Sequence, residues 1–269
     1  MKRIDLNGFT PEELAGHTSK GDQPKWQVEG IWYKADHMGG ESLSEILISK
    51  LLKYSNLTDF IDYTPVIIAY DDQDHRGCAS RNFRRQDEIL VPYEKLHRAY
   101  KGIGLASQIA KYPETTDRIR YTVDFIEEVT GLHGVGAYLT GVLELDAFFL
   151  NEDRHTNNLA VIRNEKTEEY RPCPIFDNGL SLLSDWNDYP LESDLYECIA
   201  RVKAKPFSVK FDEQIECAEI LYGSHLKFRF KKSDVREILK TMEGFYPPQV
   251  LSRTERILYE QMRRYPIFF

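Results

Sequence analysis

The sequence lacks the features typical of zinc-binding, secreted and membrane-spanning proteins. None of its four cysteines belongs to a C-x-x-C pair, so we expect free thiols in a reducing compartment. The most apolar stretch, residues 135–150, is interrupted by Glu144 and Asp146 and does not reach the length of a membrane span. The first residues are polar and contain no apolar signal-peptide core. We therefore expect a cytoplasmic protein with no membrane span.

Dense blocks of lysine and arginine are also absent, and the net charge is −8. Proteins that bind duplex nucleic acid neutralise its phosphates with clustered basic side chains, so direct nucleic-acid binding is not expected. Material for a core is present, because 42% of the 269 residues are hydrophobic. This length is sufficient for one large domain or for two lobes around a cleft.

The first third of the sequence has the pattern of strands around one helix. Residues 25–28 and 30–34 favour two short strands, with Glu29-Gly30 as a tight turn between them. Residues 42–54 favour a helix that is apolar on most sides and therefore buried, with Ser42 and Glu45 in capping-box positions.

A β-rich apolar run follows at residues 64–70, and we expect it to form a buried strand. The next stretch, residues 71–85, is predicted to be rich in turns, with a short strand near residues 79–83. Trp26, Trp32 and Phe83 are candidates for the lining of a ligand pocket, although aromatic strand residues more often belong to the core.

Beyond about Pro92 the pattern changes to helices. Two short strands, at residues 159–162 and 174–176, are predicted to form a hairpin around the charged segment 163–169. The predicted helices are residues 93–100, 115–130, 135–150, 192–204, 211–222, 232–243 and 248–264. A strand-rich first part and a helical second part predict an α+β fold.

The segment most specific for chemistry is N-E-D-R-H-T-N-N at residues 151–158, followed by I-F-D-N-G at residues 175–179. Asp153 and Asn158 have the D-x-x-x-x-N spacing of a kinase catalytic loop, in which the acid orients a hydroxyl and the amide binds Mg²⁺. Asp177 follows a predicted strand and suits a hard cation. The alternative is structural: polar residues that cap a helix end, and a hairpin turn at residues 177–179.

The first third supplies further candidates. Residues 18–25, T-S-K-G-D-Q-P-K, form a polar loop whose backbone N–H groups could face phosphates. Lys34 ends an aromatic strand and is placed to reach phosphates. A buried helix carboxylate needs a partner, and we favour Glu45 over Glu41 as the partner of Lys34.

The order of these segments resembles that of the HipA-like family of bacterial Ser/Thr kinases. The segments are the polar loop, W-Y-K, the helix with Glu45, N-E-D-R-H-T-N-N and F-D-N-G. The K-P-F segment at residues 205–207 also resembles this family. The resemblance implies a two-lobed, protein-kinase-like fold, with residues 1–85 as a strand-rich N-lobe and residues 86–269 as a helical C-lobe. It implies ATP and Mg²⁺ as cofactors, Asp153 and Lys34 as catalytic residues, and Asn158 and Asp177 as metal ligands. The cofactor-binding residues that it implies are Ser19, Lys20, Gly21, Lys34, Glu45, Asn158 and Asp177.

The resemblance further implies an antitoxin-type protein partner and autophosphorylation in the loop, with Thr18 and Ser19 as the matching hydroxyls. HipA-type toxins carry a sizeable subdomain before this loop, whereas fewer than twenty residues precede it here, so we expect a compact variant. The D-R-H and D-N-G motifs also resemble those of phosphoinositide kinases, so a lipid or small-molecule acceptor stays open. The candidate headgroup contacts are Arg84 with Arg85 and the cluster Lys227, Arg229, Lys231 and Lys232. A nucleotide-binding regulator with little catalysis is the third reading.

Overall fold

The computed structural model describes residues 1–11 and 23–269. The strands are β1 (Lys2–Asp5), β2 (Lys25–Val28), β3 (Ile31–Ala35), β4 (Thr64–Tyr70), β5 (Gln73–Arg81), β6 (Glu88–Pro92), β7 (Ala160–Asn164) and β8 (Tyr170–Pro172). The helices are α1 (Glu41–Leu52), α2 (Tyr93–Lys101), α3 (Leu105–Ile109), α4 (Thr115–Thr130), α5 (Val135–Phe149), α6 (Leu195–Arg201), α7 (Phe211–Tyr222), α8 (Lys232–Lys240) and α9 (Pro248–Arg264).

The first five strands form one sheet in the order β1-β4-β5-β3-β2, in which only β1 and β4 run parallel. β2 and β3 form the predicted hairpin, and Glu29 and Gly30 both have positive φ, at 50° and 76°. This two-residue turn matches the twist of the strands and requires a glycine-like backbone. The register of the hairpin sets Lys25 directly opposite Lys34.

Helix α1 packs against this sheet and is buried along nearly its whole length. The prediction of a helix that is apolar on most sides is thereby confirmed. The helix begins at Glu41, after Gly40, so the predicted capping box with Ser42 as its first residue is wrong. Instead the Ser42 N–H donates to Asp36 Oδ1 at 2.7 Å, inside the first turn.

The second sheet has the order β6-β7-β8 and lies in the helical part of the chain. The predicted strand at residues 174–176 is wrong, because β7 pairs with Tyr170–Pro172 and Ile175 makes only an isolated bridge to Phe60. The turn-rich reading of residues 71–85 is also wrong, because Gln73–Arg81 is a continuous strand. Strands β1–β5 precede residue 85 and all later elements follow it; the domain boundary there stays a prediction.

Helix α5 is buried along most of its length, and it packs against α4, α7 and α9. One hydrophobic core runs from α1 through α5 to α9, and a smaller one lies on the far face of the five-stranded sheet. In the part of the chain that the structure describes, no helix is long and apolar enough to cross a membrane.

Glu144 in α5 is fully buried, yet it is not an isolated charge. Its carboxylate accepts hydrogen bonds from the Ser224 hydroxyl at 2.8 Å and from the Leu226 N–H at 2.6 Å, and it also accepts from the His225 N–H. These donors belong to the segment that follows α7. Glu144 therefore holds that segment against α5.

We expect Glu144→Ala to lower the free energy of unfolding by about 2–4 kcal/mol, because it leaves buried backbone N–H groups without an acceptor. Glu144→Gln is the matched control: it retains one acceptor oxygen and should cost less than half as much. Urea unfolding followed by circular dichroism measures both. Equal losses for the two variants would contradict the role given to the carboxylate.

Candidate functional site

A cavity of about 360 Å³ lies between the five-stranded sheet and the helical part. Residues from segments distant in the sequence line it, and they include Lys25, Lys34, Asp153, Asn158 and Asp177. A second hollow, of about 480 Å³, lies on the opposite face of the sheet and is lined by residues such as Ile31 and Tyr33. None of the motif residues lines that second hollow.

Lys34 occupies the centre of the charged part of the cavity. Its Nζ lies 2.5 Å from Glu45 Oε1 and 3.0 Å from Asp177 Oδ1, so the expected contact with Glu45 is present. Burial by itself would lower the pKa of Lys34, but the carboxylates of Asp177 and Glu45 raise it well above its usual value. The ammonium is therefore charged at physiological pH, and the carboxylates of Glu45 and Asp177 hold it from two segments.

Glu41, the competing partner, has a different task. Its carboxylate accepts hydrogen bonds from the backbone N–H groups of His37, Met38 and Gly39 at 3.1, 2.6 and 2.9 Å. These bonds fix the turn that leads into α1. Glu45 instead uses its second oxygen to accept the Asn178 N–H at 3.0 Å, which links α1 to the segment that carries Asp177.

Asp177 has a left-handed backbone, with φ of 59°. Burial alone would raise the pKa of its carboxyl, but the positive charges of Lys34 and Lys25 hold it well below the usual range. The side chain is therefore an anion at any physiological pH. A charged carboxylate at the end of a short segment suits a hard cation.

The catalytic-loop motif forms a tight structure after α5. The Asp153 N–H donates to Asn151 Oδ1 at 3.1 Å, and the Asn158 side-chain amide donates to the Asp153 carbonyl oxygen at 3.0 Å. Because the Asn158 nitrogen is used in this bond, its Oδ1 is the atom available to a cation. Asp153 and Asn158 both line the cavity.

Arg154 belongs to this loop and is almost fully buried. It makes a two-point contact with Asp146, at 2.9 and 3.0 Å. The same guanidinium donates to Asn178 Oδ1 and to the Phe176 carbonyl oxygen, both at 2.7 Å. Arg154 therefore joins the end of α5, the motif loop and the segment around Asp177.

The three aromatic candidates for the pocket lining do not all lie on the same side of the sheet. Trp32 and Phe83 line the cavity, and Phe176 joins them. Trp26, the third candidate, is instead a core residue: it is buried on the other face of the sheet, with its ring centroid 4.9 Å from that of Tyr70. Successive residues of a strand point to opposite faces, which gives Trp26 and Lys25 opposite environments.

The loop candidates Ser19, Lys20 and Gly21 lie outside the described residues, and their predicted role stays a prediction. The structure adds two cations that the sequence did not single out. Lys25 lines the cavity opposite Lys34, which the register of the predicted hairpin could have indicated. Lys205 contacts Asp153 although the two residues are 52 positions apart, and no local sequence pattern predicts such a contact.

No protein-family model and no curated protein matches this chain. Its structure is similar to that of the Helicobacter pylori proinflammatory kinase CtkA, with a TM-score of 0.63 and 16% identity over 97% of this chain and 94% of that one. A Shewanella oneidensis HipA, solved with HipB and operator DNA, aligns at a TM-score of 0.41 and 12% identity over 97% of this chain and 66% of that one. The first similarity confirms the predicted fold, which is α+β, two-lobed and kinase-like.

The segment after Asp177 is docked on the start of α1. The Gly40 N–H donates to the Ser184 carbonyl oxygen at 3.0 Å, and the Trp186 N–H donates to the Met38 carbonyl oxygen at 3.1 Å. The indole of Trp186 covers Gly39 so closely that a Cβ there would lie 2.4 Å from the ring. Only glycine allows this approach.

We expect Gly39→Ala to lower the free energy of unfolding by about 1–3 kcal/mol, because the added methyl group displaces the Trp186 indole. Gly8→Ala is the control, since nothing lies within 4 Å of a Cβ at that position. Thermal and urea unfolding measure both variants. A Gly39→Ala protein as stable as Gly8→Ala would show that the indole does not hold the start of α1.

Proposed function

We propose that this chain is an ATP- and Mg²⁺-dependent phosphotransferase that moves the γ-phosphate of ATP to a serine or threonine hydroxyl of a protein. The observation that carries the proposal is the convergence of Lys34, Asp153, Asn158 and Asp177 on one cavity from segments distant in the sequence. Residues of these types, in these relations, are the parts that phosphoryl transfer requires. The kinase-like fold supports the same reading.

The donor set of the cavity fits Mg²⁺. Asp177 offers an anionic carboxylate and Asn158 offers an amide oxygen, and a hard cation prefers oxygen ligands of this kind. A second group of carboxylates, formed by Glu152, Asp185 and Asp188, has ligand atoms within 4.8 Å of one another. These three residues do not line the cavity, so Asn158 and Asp177 are the residues that would hold the metal.

The residues would divide the reaction between them. When bound, Mg²⁺ neutralises charge on the phosphate oxygens. Lys34, held by Glu45, would contact the α- and β-phosphates, and the loop at residues 18–25 would cover them. Asp153 would accept the hydrogen bond of the attacking hydroxyl and orient it toward the γ-phosphorus. Catalysis would then come mainly from positioning and electrostatic stabilisation.

The acceptor and the partner rest on the motif resemblance alone. The resemblance to HipA-like kinases is the basis for three expectations: a protein acceptor, self-phosphorylation at Thr18 or Ser19, and an antitoxin-type partner. One observation supports the alternative of a lipid or small-molecule acceptor. Arg84 and Lys95 line the cavity and would attract an anionic headgroup. The two acceptor classes give different results in the same experiment.

We expect Asp153→Asn to bind ATP and Mg²⁺ like the wild type but to transfer phosphate about 10²- to 10⁴-fold more slowly, because the orienting carboxylate is lost. Incubation with γ-labelled ATP and mapping of phosphosites by mass spectrometry measures the transfer. Asp74→Asn, at a surface pair with Arg3, is the control for loss of a carboxylate. Label at Thr18 or Ser19 would support self-phosphorylation.

Stabilisation by ATP without any labelled protein would favour a lipid or small-molecule acceptor, and added phosphoinositide vesicles would then be the next substrate tried. A wild type that neither binds nucleotide nor transfers label would overturn the proposal.

We expect Asp177→Asn to weaken Mg²⁺-dependent ATP binding at least about tenfold and to abolish transfer, because it removes the charged ligand. Isothermal titration with and without Mg²⁺ separates the metal-dependent part of the affinity. The same Asp74→Asn variant serves as the control. Transfer by Asp177→Asn at a rate near that of the wild type would refute the assigned role.

A further inference from the structure

Lys205 reaches the carboxylate of Asp153. Its Nζ lies 3.0 Å from Asp153 Oδ1, although the two residues are 52 positions apart. The lysine comes from the segment between α6 and α7. Lys205 is the first residue of the K-P-F segment at residues 205–207.

The segment that carries Lys205 is firmly anchored. The Phe207 side chain is fully buried, and its backbone N–H donates to Gln214 Oε1 at 2.8 Å while its carbonyl oxygen accepts from Arg118 at 2.7 Å. On the other side, the Ala204 N–H donates to the Val209 carbonyl oxygen at 3.0 Å. The backbone on both sides of Lys205 is therefore fixed, which distinguishes this lysine from a mobile surface side chain.

The bonds around Asp153 leave a specific task for Lys205. Asn151 and Asn158 fix the backbone of Asp153, but neither contacts its carboxylate. Among the described residues, the basic side chains near the carboxylate are Lys205 at Oδ1 and, at 3.7 Å from Oδ2, the imidazole of His155. Of these, only Lys205 is within hydrogen-bond distance, so it sets the rotation of the carboxylate.

Lys34 does not share this task. Its ammonium is bound to Glu45 and Asp177, on the side of the cavity assigned to the metal and the phosphates. Asp177 and Asp153 are therefore ion-paired with different lysines, Lys34 and Lys205. Loss of Lys205 should leave the nucleotide side of the cavity unchanged.

We infer that Lys205 is a positioning residue for phosphoryl transfer, which holds the Asp153 carboxylate toward the acceptor hydroxyl. This inference rests on the proposed function. In the transfer, the acceptor oxygen bonds to the γ-phosphorus, and the bond to the β–γ bridging oxygen breaks with its electron pair leaving on ADP. The hydroxyl proton passes to Asp153. Lys205 takes part in none of these bond changes and acts through the placement of Asp153.

The test compares Lys205→Met with Lys205→Arg, and uses Lys203→Met, an exposed lysine of the same segment, as the control. We expect Lys205→Met to lower kcat about 100-fold, which is the cost of a misplaced reacting group. The Kd for ATP and Mg²⁺ and the melting temperature should stay at the wild-type values. Lys205→Arg should recover at least a tenth of the wild-type kcat, and Lys203→Met should retain all of it.

Wild-type kcat in Lys205→Met would overturn the inference and leave the proposed function intact. A parallel loss of ATP affinity or of melting temperature would also overturn it, since Lys205 would then be a nucleotide contact or a structural residue. A wild type that transfers no phosphate would overturn both proposals together.

A second measurement tests the contact without any activity. Acylation of lysines by an N-hydroxysuccinimide ester, followed by mass spectrometry, reports how strongly each ammonium is held. In Asp153→Asn the rate at Lys205 should rise several-fold relative to the rate at Lys203, because the ion pair is gone. Equal ratios in the variant and the wild type would contradict the ion pair.

Discussion

The guanidinium of Arg154 is 1% exposed and hydrogen-bonds to α5, to the motif loop and to the segment before Asp177 at once. Burial by itself would lower the pKa of Arg154, but Asp146 raises it, so the group stays charged. A buried charge of this kind is tolerated only when it is paired and its N–H groups have acceptors. Arg154 meets that condition with groups from three segments, and their relative positions are therefore fixed.

From Arg154 the network continues to the sheet. Asn178 accepts from Arg154 through its side chain and donates to Glu45 through its backbone, and Glu45 in turn binds Lys34. The chain of contacts thus runs from the helical part through α1 to β3. Because each member has at least two partners, the positions of the cavity residues are set before any ligand arrives, which is the condition for efficient electrostatic catalysis.

The sequence predicted elements whose signal is local. The helices at Thr115–Thr130 and Pro248–Arg264 agree with the structure because their patterns are long and their ends are punctuated by glycine and proline. Strand β1 was not predicted, since a four-residue polar segment becomes a strand only through its parallel pairing with β4. Strand β5 was taken for turns because its first residues are polar, and the long register with β4 overrides that preference.

Within the cavity, too, residues with a local sequence signal were predicted, and contacts that depend on long-range packing were not. Asp153, Asn158 and Asp177 belong to short motifs, and Lys34 and Glu45 follow from the strand and the helix around them, so sequence reasoning found them. The contacts of Glu41 and Lys205 were not predicted from the sequence. The pairing of Asp146 with Arg154 depends on how the loop folds back under α5. The contact of Lys205 with Asp153 depends on where the segment between α6 and α7 lies in the fold.

The backbone of Asp177 shows why these supporting contacts matter. A left-handed conformation in a residue other than glycine costs about 1–2 kcal/mol, and it persists only when the surroundings hold it. The Phe176 carbonyl oxygen before it accepts from Arg154, and the Asn178 N–H after it donates to Glu45. Asp177 is thus clamped from both sides by the two ends of the network. Loss of either bond would allow its peptide units to rotate toward an ordinary conformation, and the carboxylate would then leave Lys34. The I-F-D-N-G motif contains the carboxylate, and the hydrogen bonds from Arg154 and to Glu45 fix the backbone that orients it.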